Sequence, residues 1–138
     1  MAPLIVFLDA NVLFSAALAG PAFELIWELA RRRRIRLVTS TYCRIEADAN
    51  LERKRPRSAT RLAELLREVD LVPEPTPVQI TAARRLVVEK DAWVLAAALA
   101  AGADVLVTGD LKHFGALMER DDLPLRVRSP RAFLLEGP

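Results

Sequence analysis

The sequence predicts an α/β protein built on a mostly parallel sheet, and three observations carry that reading. Leu4 to Leu8 is a continuous apolar run that ends on Asp9. Asp104 to Thr108 is a second, β-branched run that ends at Gly109-Asp110. Around them, stretches of helical periodicity alternate with short apolar runs. Strands buried on both faces lose the in–out alternation of a half-exposed sheet, and strands that alternate with helices form parallel sheets.

Taken in order, Leu4 to Leu8 is the first strand, and Val12 to Leu18 is a short helix closed by Gly20-Pro21. Pro21 to Arg34 is amphipathic, with Phe23, Ile26, Trp27 and Ala30 at helical spacing. Arg36 to Thr39 is the second strand. Ser40 or Thr41 then caps a helix through about Lys54. Ser58 to Val69 carries Leu62, Leu65, Leu66 and Val69 on one stripe, and Asp70 to Val72 is a third strand. Thr76 and Gln79 form a capping box with Pro77 at the first helical position, opening a helix to about Val88. Leu125 to Val127 is a last strand, followed by a helix from Ser129-Pro130 through Leu135.

The stretch from Glu89 to Phe114 organises the rest. Asp91 to Ala101 is rich in Ala and Leu, so it favours a helix. Gly102 stands where a helix end wants a left-handed residue. A helix of about eleven residues runs roughly 16 Å, and the tight turn sends the next strand back along it. Asp91 and Asp110 therefore return to one edge of the molecule. Asp9, at the end of the first strand, meets the same edge, where open α/β sheets bind their ligands. Taken singly, each aspartate also reads as a helix N-cap, with Asn11 as a further local capping group.

Composition narrows the function classes. The chain has 138 residues, enough for a single domain over 1–138 with a normal core. One cysteine, Cys43, allows no internal disulfide and fits a reducing, cytoplasmic compartment. One Cys and one His make no Cys/His metal cluster. The apolar start is interrupted by Asp9 and reads as a strand rather than a leader, and no run is long enough to span a membrane. Net charge is +2. If four of the 18 acids gather in one pocket, the remainder sets 20 basic residues against 14 acids, a balance of +6. An acidic pocket in a basic surface suits a polyanion held at a metal site.

Glu46 lies about a turn and a half into its helix, roughly 9 Å below the strand edge, where a long side chain is useful. Asp48 and Glu52 are its rivals. Four crowded carboxylates repel at about 4 kcal/mol per near-contact pair in a surface-like dielectric. They share protons or bind a hard divalent cation, for which magnesium or manganese is the natural choice. The runs Arg31–Arg34 and Arg53–Arg57 read either as phosphate contacts or as solvated turns, and the first fits better as a last helical turn that complements the dipole. Cys43 has no His/Asp partner and reads as core. His113, the only histidine, reads as a local structural or substrate-contacting residue.

LDANVLFSAAL and KDAWVLAAALAAGADVLVTGDLKHF together resemble the opening and closing motifs of the PIN-domain ribonucleases, above all the toxin halves of bacterial VapBC-type toxin–antitoxin pairs. The resemblance covers nearly the whole chain, and TGDLKHF is its most specific piece. It implies a PIN-like α/β/α sandwich, a parallel sheet with helices on both faces. It implies Asp9, Glu46, Asp91 and Asp110 as catalytic acids and ligands of one or two Mg2+ or Mn2+ ions. Asn11 and Thr108 match supporting positions. It further implies hydrolysis of RNA, a homodimer, and an antitoxin whose segment covers the acidic groove. Arg53, Lys54, Arg55, Arg57 and His113 are the candidate RNA contacts.

Two rival classes stand beside this one. A phospho-aspartate hydrolase wants a second Asp two residues after the first, where this chain has Asn11, and a supporting lysine between the motifs. A receiver domain wants paired early acids and a late lysine. A non-catalytic PIN-like module would bind nucleic acid or a partner, but has no use for four mutually repelling acids.

Overall fold

The structure, a computed structural model, describes residues 2–18 and 21–138. Strand β1 (Leu4–Leu8) leads into helix α1 (Ala10–Leu18), and α2 (Pro21–Arg31) precedes β2 (Ile35–Ser40). The expected stop at Gly20 lies outside the described residues. Helix α3 (Thr41–Lys54), a 3-10 turn (Pro56–Ser58) and α4 (Ala59–Leu66) connect to β3 (Asp70–Val72). Helices α5 (Pro77–Ala83) and α6 (Glu89–Ala100) lead to β4 (Val105–Val107). Helix α7 (Leu111–Phe114) and a 3-10 turn (Gly115–Glu119) precede β5 (Arg126–Arg128) and α8 (Pro130–Glu136).

The five strands form one all-parallel sheet in the order β3-β2-β1-β4-β5. Right-handed crossovers put the helices between β1 and β3 on one face and α5 and α6 on the other. Contacts among α1, α3 and α4, and between α5 and α6, mark the two helical layers. The sheet order reverses between β1 and β4, so the crevice beyond their carboxyl ends is a topological switch point. Val6, Phe7, Leu8 and Val105, Leu106, Val107 are fully buried, as continuous apolar runs in central strands should be. Among the described residues no single helix is long and apolar enough to cross a membrane.

The caps are where local chemistry places them. Ser40 accepts from the Cys43 amide at 3.1 Å and starts α3. Thr76 and Gln79 close their box at 3.3 and 2.8 Å. Ser129 accepts from the Ala132 amide at 3.1 Å.

Several boundaries differ from expectation by a few residues: α1 starts at Ala10, α2 ends at Arg31, α4 spans Ala59–Leu66 and β5 spans Arg126–Arg128, and three more differences bear on the path from α5 into β4. The helix expected through Val88 ends at Ala83, because Val87 turns inward and is buried while its amide still reaches the Ala83 carbonyl. A β-branched Val87-Val88 pair also resists helix at that point. The helix expected to start at Asp91 starts two residues earlier, with Val88 as N-cap and no capping side chain. Asp91 therefore caps nothing. Asp104 stands before β4 and clips the strands from outside: its carboxylate accepts from the Ile5 amide at 2.8 Å.

Gly102 makes the turn from α6 into β4 at φ +69. Nothing stands within 4 Å of where a Cβ would sit, so only the backbone conformation demands glycine. Gly102→Ala is expected to lower stability by about 1 kcal/mol, read from the urea midpoint. Gly102→Asn should recover part of that loss, since Asn tolerates the left-handed region better.

Candidate active site

Asp9 sits where β1 becomes α1. Its amide donates to the Val107 carbonyl at 3.1 Å, continuing the sheet, and its carbonyl accepts from Val12 and Leu13, opening the helix. Its carboxylate is 5 % exposed. Oδ1 accepts from the Ala10 amide at 2.7 Å, and Oδ2 accepts from the Thr108 hydroxyl at 2.8 Å and the Asn11 amide group at 3.2 Å. The Cys43 thiol lies 3.9 Å from Oδ1.

Asn11 does not cap α1. It ties β1 to β4: its Oδ1 accepts from the Gly109 amide at 2.7 Å, and its Nδ2 also reaches Thr108 Oγ1 at 3.3 Å. A Cβ at Gly109 would meet Asn11 Oδ1 at 3.3 Å, a tight contact from which the Asn11 side chain would have to give way slightly. Thr108 Oγ1 in turn accepts from the Asp110 amide at 3.1 Å. One hydrogen-bonded knot thus fixes the ends of both switch-point strands.

Asp110 combines both readings of its sequence. Oδ1 accepts from the His113 amide at 3.0 Å and caps α7, while Oδ2 meets His113 Nδ1 at 2.8 Å. Asp91 comes in from the first turn of α6 and is 6 % exposed. Its Oδ2 lies 3.0 Å from the same His113 Nδ1, but it is buried with no hydrogen-bond partner. The same ring nitrogen thus stands between two carboxylate oxygens, nearer to that of Asp110. The ligand atoms of Asp91, Asp110 and His113 all lie within 4.8 Å of one another.

Glu46 reaches this edge from α3. It is half-buried and lines a cleft of about 400 Å³ together with Asp9, Asn11, Asp91 and Asp110. Its rivals in the sequence, Asp48 and Glu52, do not line it. The sequence-predicted acids and Asn11 therefore share one cleft, and Thr108 lies directly beneath it. Arg53, Lys54, Arg55 and Arg57 do not line it. Arg53 instead donates to Asn50 at 2.7 Å, and Lys54 lies over the Phe14 ring. Of the other basic run, Arg31 pairs with Glu68 at 2.9 Å and Arg32 with Glu28 at 3.0 Å. That run leads into the amino end of β2, at the opposite edge of the sheet.

His113, which the sequence offers as a local structural or substrate-contacting residue, sits between two carboxylates, a placement that depends on where α7 meets α6. The sequence reading did not single out two further residues of the cleft. Tyr42 and Lys90 line the cleft walls. Both had a sequence signal: Tyr42 stands four residues before Glu46, one helical turn away, and Lys90 adjoins Asp91.

The charges behave as burial dictates. Desolvation pushes the Asp9 carboxyl up to about 6, against the lowering effect of Thr108 and Ala10 and with help from the charges of Asp91 and Glu46. Asp91 is also raised, by burial first, against the opposing His113 charge. Asp110 goes the other way. Burial alone would raise it, but the His113 amide, ring and charge together hold it below its ordinary value. The Cys43 thiol is pushed up to about 12 by burial and by the Asp9 charge, so it stays protonated and is no nucleophile.

These shifts give the metal-free protein a pH dependence with a definite sign. Folded Asp9 and Asp91 keep protons that the unfolded chain has released. Their contribution to stability is complete below the unfolded value of 3.8 and is lost as pH rises through the raised folded values, about 6 in the case of Asp9. For Asp9 alone the loss is about 3 kcal/mol. Asp110 contributes in the opposite sense, and its part is lost only as pH falls below 3.8. Urea midpoints in chelator should therefore fall between pH 4 and pH 7. Asp91→Asn, which removes an unpartnered buried charge, should raise the pH 7 midpoint by about 1 kcal/mol. Asp9→Asn should gain nothing, because its new NH2 would set a donor against a donor, the Ala10 amide or the Thr108 hydroxyl, where a carboxylate oxygen accepts.

The family model for the PIN domain matches residues 5–112. No curated protein matches the chain. Among solved structures, VapBC2 from Rickettsia felis, bound to a DNA fragment from its promoter, superposes with a TM-score of 0.72 at 18% identity, covering 91% of this chain and 98% of that one. VapBC-1 from nontypeable Haemophilus influenzae gives 0.63 at 22% identity, over 93% and 99%. A toxin–antitoxin complex from Klebsiella pneumoniae gives 0.66 at 17% identity, over 91% and 97%. At these identities the likeness is one of fold. The family match is broader in consequence, because it spans Asp9, Glu46, Asp91 and Asp110 alike: the chain belongs to the PIN-domain family.

Proposed function

We propose that the chain is a metal-dependent endoribonuclease and the toxin of a toxin–antitoxin pair. The observation that carries the reading is Asp91 Oδ2, a buried carboxylate oxygen without a hydrogen-bond partner, facing a cleft that three further acids line. An unpaired buried charge is costly, and this one stands among donors that suit a hard cation. Asp9, Glu46, Asp91 and Asp110 offer carboxylate oxygens, the ligand type magnesium and manganese prefer. Asp91 and Asp110 would hold the ion most directly, with His113 beside them. When bound, such an ion supplies the positive charge that offsets both the carboxylates and a phosphodiester.

The chain's own groups do the positioning. Thr108 and Asn11 fix the Asp9 carboxylate in one orientation. The cap on α7 commits one oxygen of Asp110, and His113 Nδ1 meets the other at 2.8 Å on the edge of the cleft. His113 Nδ1 stands between the carboxylates of Asp91 and Asp110, at 3.0 and 2.8 Å. The reaction class is phosphodiester hydrolysis, in which water adds at phosphorus and a ribose oxygen leaves. The Cys43 thiol, buried and protonated, takes no part as a nucleophile.

The antitoxin partner is inferred from fold neighbours that are themselves toxin–antitoxin assemblies. A homodimer is part of the same proposal. The basic surface outside the cleft supports a polyanionic substrate.

The test is cleavage of a mixed pool of labelled structured RNAs with manganese, magnesium or chelator, and of matched DNA in parallel. Metal-dependent cutting of RNA is expected, reduced at least about 100-fold in Asp91→Asn and in Asp9→Asn. Metal binding by calorimetry without cutting would point to another phosphate ester. Neither binding nor cutting would leave a non-catalytic module.

A further inference from the structure

An exposed aromatic pair borders the acidic cleft and is not used by the reading above. Trp93 is 39% exposed, whereas the other tryptophan, Trp27, is fully buried. Its ring centroid lies 5.9 Å from that of Tyr42, with the planes 34° apart. Tyr42 is itself part of the cleft wall, one helical turn from Glu46. Its hydroxyl is pushed up to about 12 by burial and by Glu46, so the ring stays neutral. The pair is therefore continuous with the carboxylate cluster.

Lys90 completes the arrangement. It is exposed, lines the cleft, and stands three residues before Trp93 on α6, so the two share one helix face. Among the residues that line the cleft it is the only lysine or arginine. Asp91 and Val94, at the same spacing, are buried and line the cleft. The first turn of α6 thus presents an acid inward, and a cation and an aromatic face outward beside it. An aromatic face with an adjacent cation is how single-stranded nucleic acid is held without base pairing: a base stacks and its phosphate meets the charge. A base inside a duplex has no free face to offer.

We infer that Trp93, backed by Tyr42 and flanked by Lys90, is a stacking subsite for an unpaired base next to the scissile phosphate. This rests on the nuclease reading for the place of the phosphate, but the binding it requires is separate from cutting.

The experiment follows Trp93 fluorescence during titration with a short unstructured RNA in calcium, beside the same oligomer with abasic positions and a duplex of the same length. Quenching by the unstructured RNA alone is expected. By anisotropy of the labelled oligomer, Trp93→Leu should bind roughly 10- to 100-fold more weakly, and Trp93→Phe should restore most of the affinity. Lys90→Gln should lower the slope of log affinity against log salt by about 0.7. Equal quenching by the abasic oligomer, or unchanged affinity in Trp93→Leu, overturns the subsite and assigns the aromatic pair to a protein partner. Binding without cutting in manganese or magnesium overturns the nuclease reading alone. Absence of binding by the wild-type chain overturns both.

Discussion

A carboxylate buried at the junction of two strands is the constraint on which this molecule is built. Asp9 accepts from a backbone amide, a hydroxyl and a side-chain amide. Hydrogen bonds to a charged acceptor are each worth about 1.5–3 kcal/mol, while removing a carboxylate from water costs several. The raised Asp9 value shows that the donors do not win: burial and two neighbouring acids outweigh them. The protein keeps the carboxylate in place regardless, because the same donors fasten β1 to β4 at the point where the sheet order reverses. Fold and site share their bonds.

The three aspartates show how environment separates identical side chains. Asp9 is saturated with donors, Asp91 is buried with one oxygen unpartnered, and Asp110 has a histidine for company. Their titration behaviour diverges accordingly, two upward and one downward. The many arginines elsewhere do not answer this charge directly. Those near β2 are engaged with Glu28, Glu68 and Asp70. The acidic cleft is left as a local excess of negative charge in a chain that is positive overall.

Much of this was legible in the sequence, and the limits have physical causes. The apolar runs of β1 and β4 announced central parallel strands, and the residues that end them announced the site edge. Caps at Ser40, Thr76 and Ser129 were readable because capping is local chemistry. Glu46 was harder, since its rivals Asp48 and Glu52 lie on the same helix and only the packing of α3 turns one of the three toward the cleft. The break after Ala83 escaped notice because burial of Val87, a tertiary demand, overrode a run of acceptable helix formers. The place of His113 beside Asp91 escaped for the same reason: the two are far apart in sequence, and no local pattern joins them.

Asp110 has a consequence for how such a chain can change over time. One of its oxygens starts a helix of a single turn, and the other meets His113 on the edge of the cleft. Asparagine and serine can still supply a cap, so they offer the chain a folded but chemically altered state one substitution away. Alanine offers neither. Drift at this position is therefore channelled: the replacements that survive folding are those that take a negative charge out of the cleft while preserving its architecture. A population of such chains would accumulate intact copies with a less acidic cleft before it accumulated broken ones.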